Sequence, residues 1–254
     1  MTISMESAIG SGVYGWCDRA AGWSNAHRHP STGAREEDDV ADPVIKPEDV
    51  AAALAGLGSA TLGESGGQAA HRRLRPVWPG ASIAAPAYPV GCTPGDNLGV
   101  HVAVTKAPRG SVLVVDVGQV TDRGYWGEVL TTAAEAAGLA GLVIDGCVRD
   151  VGALEAHGFP VFSAGIALTG ATKDKPGTVG RPVRVGGIVV SPGDWVVGDV
   201  DGVTFVPAEA VAEVLVAGRG REVKEAGFFE ALREGRTTVE LLGLDASLVS
   251  ERKD

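Results

Sequence analysis

Apolar residues recur along the chain at two spacings, and the alternation between them predicts its elements. Val50, Leu54 and Leu57 fall at helical spacing behind Pro47-Glu48-Asp49. Pro in the first turn and acids at the positive end of the dipole open a helix there, and Gly58 supplies a stop. Ser82–Val90 reads as a strand. Pro86 and Pro89 each remove a ladder donor, so that strand is expected to be short or to lie at an edge. Pro94-Gly95-Asp96-Asn97 reads as a turn into a helix ending near Lys106. The clearest pattern follows: Ser111–Asp116 is apolar and β-branched, Glu128–Ala137 sets Val129, Leu130, Ala133, Ala134 and Ala137 on one helical side, and Gly141–Asp145 is again apolar. Two buried strands joined by a helix make a parallel pair with a right-handed crossover.

A helix from about Asp150 to His157 and a short strand at Val161–Ser163 repeat the alternation. Beyond Thr178 the texture becomes β-rich. Val183–Val190, Trp195–Val197 and Val203–Val206 are strands between Gly, Pro and Asp turns, and Pro207 opens a helix with Val211, Val214, Leu215 and Val223 on its apolar face. A short helix at Phe228–Arg233 and a polar tail follow. The fold class is α/β, with central parallel strand–helix–strand units and a β-rich C-terminal half. Residues 1–42 lack periodicity and end near the acidic run Glu36–Asp39, so they read as an arm, with Trp16 and Trp23 available for docking. The expected organisation is an arm at 1–42, a domain at 43–227, and a C-terminal helix and tail at 228–254.

Charge narrows the function classes. The 254 residues carry 22 Lys and Arg against 32 Asp and Glu, a net charge of -10. That speaks against nucleic acid or an anionic membrane as partner, since both require a basic surface. The three cysteines, Cys17, Cys92 and Cys147, are far apart and odd in number. Together with the lack of a signal pattern and of a long apolar run, they lead to the expectation of a reduced, cytoplasmic protein. There is no phosphate-binding glycine motif, so nucleotide cofactors are not indicated.

Ligands of parallel α/β proteins gather beyond the carboxyl ends of strands. Gly127-Glu128-Val129-Leu130 starts the helix after the first strand, where free backbone amides can bind a carboxylate. Arg149 follows the second strand and can fork onto a carboxylate and a keto oxygen. Asp150 offers a hard oxygen to Mg²⁺ or Mn²⁺. A solvated ion pair opening a helix is, on this chemistry alone, an equal alternative. Asp199 and Asp201 read as turn formers, His101 as a packed core residue, and His157 as a helix C-terminal residue. Lys173 and Lys175 lie in a solvated loop that can reach the far end of a substrate, and His27-Arg28-His29 lies in the arm. Cys147 has no nearby His to activate it.

The segment GEVLTTAAEAAGLAGLVIDGCVRDVGALEAHGFPVFS (127–163) resembles the RraA-like family, and PGDNLGVHVAVTKAPRGSVLVVDVG (94–118) and PGDWVVGDVDGVTFVP (192–207) agree with it. That family contains class II 4-hydroxy-4-methyl-2-oxoglutarate aldolases and a non-catalytic regulator of RNase E activity. The resemblance implies a swivelling β/β/α sandwich assembled as trimers or hexamers. It implies pyruvate held by the amides of Gly127–Leu130 and by Arg149, with a divalent cation, Mg²⁺ or Mn²⁺, on Asp150. Glu128 stands where the aldolases resemble it with Asp, and its implied role is to orient a water that carries protons. The regulatory branch typically lacks the acid after the Arg. A metal-dependent lyase acting on a 2-oxo acid is therefore expected. A binding protein that regulates a ribonuclease, and an enzyme redirected to another enolate reaction such as dehydration, stand as alternatives.

Overall fold

The structure, a computed structural model, describes residues 46–250. Expectations for the arm, including Trp16, Trp23 and His27-Arg28-His29, lie outside the described residues. In chain order the elements are α1 (Pro47–Gly63), β1 (Gln68–Ala69), β2 (Arg75–Pro76), β3 (Ile83–Cys92), α2 (Leu98–Lys106), β4 (Val112–Asp116), β5 (Gly124–Trp126), α3 (Glu128–Ala137), β6 (Gly141–Val148), α4 (Val151–His157), β7 (Val161–Ile166), β8 (Gly177–Val179), β9 (Val183–Val185), β10 (Ile188–Val190), β11 (Trp195–Asp199), β12 (Gly202–Val206), α5 (Val211–Arg233) and α6 (Thr238–Leu242). The main sheet runs β1-β12-β11-β3-β4-β6-β7-β2, with β5 added to β6 and β8 to β3. Strands β3, β4, β6 and β7 are parallel, while β11 and β12 are antiparallel to their neighbours. The parallel units, β11 and β12 thus form one curled mixed sheet, and β9 with β10 makes a separate two-stranded one.

Period-two alternation divides the core. On β4, Leu113 and Val115 face α2, α3 and α4, where they join Val100, Val104, Leu130 and Leu154. Val112 and Val114 face the opposite side and meet Phe162, Val185, Val196 and Phe205. Trp195 and Val197 of β11 turn outward to Leu54 and Leu62 of α1 and to Val214 of α5. The layers are therefore helices, sheet, the sheet curled back on itself, and helices. Each strand residue buried on two faces removes apolar area from water at about 25 cal/mol per Å². This explains why Val, Leu and Ala suffice for a core with few aromatics.

Several local expectations are corrected. Gly58 does not end α1; it adopts φ 75°, ψ 164° and kinks a helix that continues to Gly63. β3 is neither short nor at an edge. It changes neighbours at Pro86–Ala87, pairing with β11 through Ile83–Pro86 and with β4 from Ala87 to Gly91. Pro86 pairs with β11 alone, while Pro89 pairs with β4 on one side and accepts from the Gly180 amide at 2.9 Å through its carbonyl on the other, so each proline sits where the ladder tolerates its missing N–H. Val183–Val190 is a hairpin, turned by Gly186 at φ 59° and Gly187 at φ 88°. α5 runs unbroken from Val211 to Arg233, so Phe228–Arg233 is its last part, and Val223 is exposed. Among the described residues, no helix is long and apolar enough to cross a membrane.

Candidate active site

The two loops singled out by the sequence are stitched together at the end of β6. β5 lies beside it with Trp126 opposite Val148, and the Arg149 amide donates to the Trp126 carbonyl at 2.9 Å. Trp126 is anchored in turn, stacking on Phe159 at 6.0 Å and donating from Nε1 to Thr131 at 2.7 Å. Gly127 then caps α3. The first intrahelical bond is Thr131 N–H to the Gly127 carbonyl, so the amides of Val129 and Leu130 have no intrahelical acceptor. The Glu128 amide donates to Asp150 Oδ2 at 3.2 Å. That approach requires a glycine at 127, because a Cβ there would collide with Asp150 Oδ2.

Asp150 holds left-handed backbone, φ 61° and ψ 36°, at the N-cap of α4. Such a conformation costs a side-chain-bearing residue about 1–2 kcal/mol. Arg149 Nε lies 3.6 Å from Asp150 Oδ2, and both side chains are about half exposed. Gly127, Val129, Leu130, Arg149 and Asp150 all line one cavity of about 220 Å³, with Asn97, His101, Gly124, Tyr125, Trp126, Gly170, Ala171 and Lys173. Glu128 is not part of this lining; its carboxylate lies 3.8 Å from His157 Nε2. Val129, expected on the apolar side of α3, is 78% exposed at the rim.

The far wall was not read from the sequence. His101 is no core residue. Its Nε2 and the Oδ1 of Asn97 are buried, on residues that line the cavity, without a hydrogen-bond partner among the described residues. Asn97 spends its amide nitrogen on the Tyr125 carbonyl at 2.7 Å, which fixes the oxygen's orientation. Burial, and next the charge of Lys173, push the His101 pKa down, against the opposing charge of Asp96. The signal lay in the spacing: Asn97 and His101 are four apart and share a helical face, but apolar neighbours masked that face as core.

The other candidates have structural partners. Asp199 accepts from the Ser59 amide at 2.7 Å and the Ser59 hydroxyl at 2.6 Å, and Asp201 donates its amide to Asp199 at 2.9 Å. Burial alone would raise the Asp199 pKa, but these bonds outweigh it and hold the carboxyl below its usual range. His157 Nδ1 lies 2.8 Å from Glu135 Oε2, tying α4 to α3. Cys147 donates to the Thr121 carbonyl, and burial raises its pKa. Asp145, unremarked in the sequence, is 1% exposed and binds Arg73 through both oxygens, at 2.6 and 2.5 Å, and the Gly186 amide at 2.9 Å.

A cation on Asp150 is compatible with this wall. Among the described residues, no group of three His, Cys, Asp or Glu side chains could hold a metal. Mg²⁺ characteristically takes one or two protein carboxylates and completes its shell with water and substrate oxygens, and an isolated, half-exposed Asp at a cavity fits that mode.

Fold and cavity together define an α/β protein with a helix start whose first amides are free beside an Arg-Asp pair. Comparison with known proteins specifies it further. The RraA-like family model, described as Aldolase/RraA, matches residues 39–205, and the chain belongs to that family. A protein of Halalkalibacterium halodurans named "Putative 4-hydroxy-4-methyl-2-oxoglutarate aldolase" is 33% identical over 60% of this chain and 72% of its own length. A protein of the same name from Albidiferax ferrireducens is 38% identical over 46% of this chain and 72% of its own. Among solved structures, an unusual member of the RNase ES inhibitor RraA family from Streptomyces coelicolor shares a TM-score of 0.63 at 25% identity, covering 73% of this chain and 98% of its own. The RNA-processing inhibitor RraA from Thermus thermophilus gives a TM-score of 0.50 at 26% identity, over 56% and 85% of the two chains.

Proposed function

We propose that the protein is a divalent-metal-dependent carbon–carbon lyase that cleaves a 4-hydroxy-2-oxo acid through a pyruvate-like enolate. The observation that carries this reading is the meeting of Arg149, Asp150 and the free amides of Val129 and Leu130 on one small cavity. The amides anchor the substrate carboxylate at the positive end of α3. Arg149 donates to the keto oxygen and offsets the charge that develops there. A divalent cation on Asp150, Mg²⁺ or Mn²⁺, would supply Lewis-acid polarisation of the same oxygen.

In the cleavage direction the 4-hydroxyl gives up its proton, and the C3–C4 bond breaks. Its electron pair passes into the enolate, and C4 becomes a carbonyl. Protonation at C3 then releases pyruvate or a close relative. Asn97 and His101 are suited to bind the 4-hydroxyl, because both present buried polar atoms without another partner. Glu128, between the lining residues Gly127 and Val129, orients the water that carries protons between the site and solvent. A 2-oxo acid with a leaving carboxylate, as in oxaloacetate, would use the same enolate. The exposed Val129 of the lining, with the exposed Ile166 and Leu168, supports assembly into a trimer or hexamer in which a neighbouring subunit completes the rim.

The test is a pyruvate-release assay on 4-hydroxy-2-oxo acids with and without EDTA. Release that stops with chelator and returns with Mg²⁺ is expected. Activity indifferent to both chelator and Asp150→Ala overturns the metal role. A second reading, a non-catalytic regulator of a ribonuclease, is favoured by the likeness to the RraA inhibitors of Thermus and Streptomyces. Ribonuclease inhibition by a chain without lyase activity would establish it.

A further inference from the structure

A row of three titratable side chains starts at Glu128, beside the cavity lining. Glu128 and Glu135 are seven residues apart on α3, two turns along one face. His157, the last residue of α4, lies against both. Its Nδ1 is 2.8 Å from Glu135 Oε2, and its Nε2 is 3.8 Å from Glu128 Oε1. The His157 side chain is 26% exposed, against 37% for Glu135 and 58% for Glu128, so the imidazole is the most enclosed of the three and still meets solvent. An ionised carboxylate only accepts hydrogen bonds, so the hydrogen between Glu135 and the ring sits on Nδ1. Nε2 is then the nitrogen free to take up and release a proton. At 3.8 Å, Nε2 and Oε1 are too far apart for a direct bond and close enough to share one water. Glu128 itself stands between the lining residues Gly127 and Val129, with its amide on Asp150 Oδ2. Among the described residues, its carboxylate has no ion-pair partner other than His157.

We propose that His157, oriented by Glu135, is a positioning residue that acts through Glu128: it holds the water on Glu128 and passes protons between that water and solvent. The inference rests on the lyase reading, in which this water serves the enolate carbon. When pyruvate is the ligand, the water takes one methyl proton, and the C–H electron pair passes into the enolate. The water gives a proton to Nε2 and is restored, so enolate and imidazolium form together and total charge is unchanged. Glu128 and Glu135 stay ionised on either side, and their charge favours the imidazolium. Solvent exchanges the Nε2 proton, and the reverse path delivers it to the enolate carbon. A carboxylate that orients an imidazole and stabilises its charged form, leaving the second nitrogen to act, is the pairing that activates proton transfer in acyl-transfer triads.

The experiment follows deuterium exchange into the pyruvate methyl group by proton NMR, and pyruvate binding by calorimetry, both with Mg²⁺ present. The proteins are wild type, His157→Ala, His157→Gln, Glu128→Ala and the Glu128→Ala/His157→Ala double variant. His157→Ala is expected to slow exchange about tenfold, less than the roughly 10²–10⁴-fold of a group acting on substrate itself, because solvent replaces part of the relay. Pyruvate affinity is expected to stay within about twofold of wild type, and added imidazole to restore exchange in His157→Ala. In the Glu128→Ala background the His157 change is expected to cost nothing further, because it acts through Glu128. Exchange in His157→Ala at the wild-type rate, or costs that add in the double variant, overturns the proposal. So does a loss matched by weaker pyruvate binding and not rescued by imidazole, which leaves His157 only a tie between α4 and α3. If His157→Ala does not fold, His157→Gln decides. Its amide keeps a bond to Glu135 but carries no proton, so slow exchange with unchanged pyruvate binding supports the relay and wild-type exchange overturns it. A wild type that does not exchange overturns the lyase reading and this inference with it, a failure distinct from undiminished exchange in the His157 variants.

Discussion

Gly127→Ala isolates the contact on which the site depends. The Gly127 backbone is extended, φ -168° and ψ -167°, so alanine meets no dihedral strain there. The added methyl instead falls on Asp150 Oδ2 and within 3.2 Å of Arg149 Cγ. Asp150 cannot yield by backbone adjustment alone, because its left-handed conformation at the N-cap of α4 is fixed by bonds from Ala153 and Leu154 to its carbonyl. Its side chain must rotate away, losing the Glu128 amide bond at 3.2 Å. A displacement of about 1 Å in a reacting group costs on the order of 10²-fold in rate. The stability cost is that of alanine in place of glycine at an N-cap plus one lost bond, about 1–2 kcal/mol, or roughly 2–8 °C in melting temperature. Pyruvate release and thermal unfolding on the same preparation measure both. A variant folded to within that margin that retains lyase activity within about threefold of wild type would refute the claim that Asp150 must occupy this position.

Arg149→Lys keeps the charge but loses the planar fork, and is expected to cost on the order of 10²-fold in kcat/KM, read in the same assay. Arg73→Ala leaves the Asp145 carboxylate buried with only the Gly186 amide among its contacts. A fully buried pair broken this way costs about 3–5 kcal/mol. Because the Arg73 side chain is 28% exposed, water screens part of this, and a urea-midpoint loss equivalent to about 2–3 kcal/mol is expected. Burial opposes the Asp96 charge, but four hydrogen bonds overcome it and hold its folded pKa well below the usual carboxylate range. Its stabilisation is present above the unfolded value of about 3.9 and is lost as pH falls from there toward the folded pKa. Urea midpoints measured between pH 7 and pH 3 should therefore fall less steeply in Asp96→Asn than in wild type. Burial pushes the Cys92 thiol up to about 11, so iodoacetamide at pH 7 is expected to alkylate it slowly compared with free cysteine.

The near wall of the site was legible in the sequence because it is local. A strand end, a glycine, a helix start and an Arg-Asp pair occupy two short stretches, and parallel topology brings such stretches together. The far wall depends on contacts that spacing does not encode. Asp96 meets the Asp174 amide across 78 positions of the chain, next to Lys173 of the cavity lining. His101 looked like core because its neighbours Val100, Val104 and Ala103 are core, while its own ring faces the cavity. The misread proline strand has a similar cause. Proline forbids pairing on its nitrogen side, but sequence does not reveal that β3 exchanges β11 for β4 between its two prolines. Gly58 was legible as a break in helical conformation, yet tertiary packing of Leu57 and Leu62 on β11 and α5 carries the helix past it.

The most direct test of enolate formation at Gly127–Asp150 is exchange of the pyruvate methyl protons in D₂O, followed by proton NMR with Mg²⁺ present. Wild type should exchange deuterium into the methyl group, with exchange lost in Arg149→Ala and Asp150→Ala while both variants remain folded. No exchange by wild type, or undiminished exchange in both variants, would contradict the account.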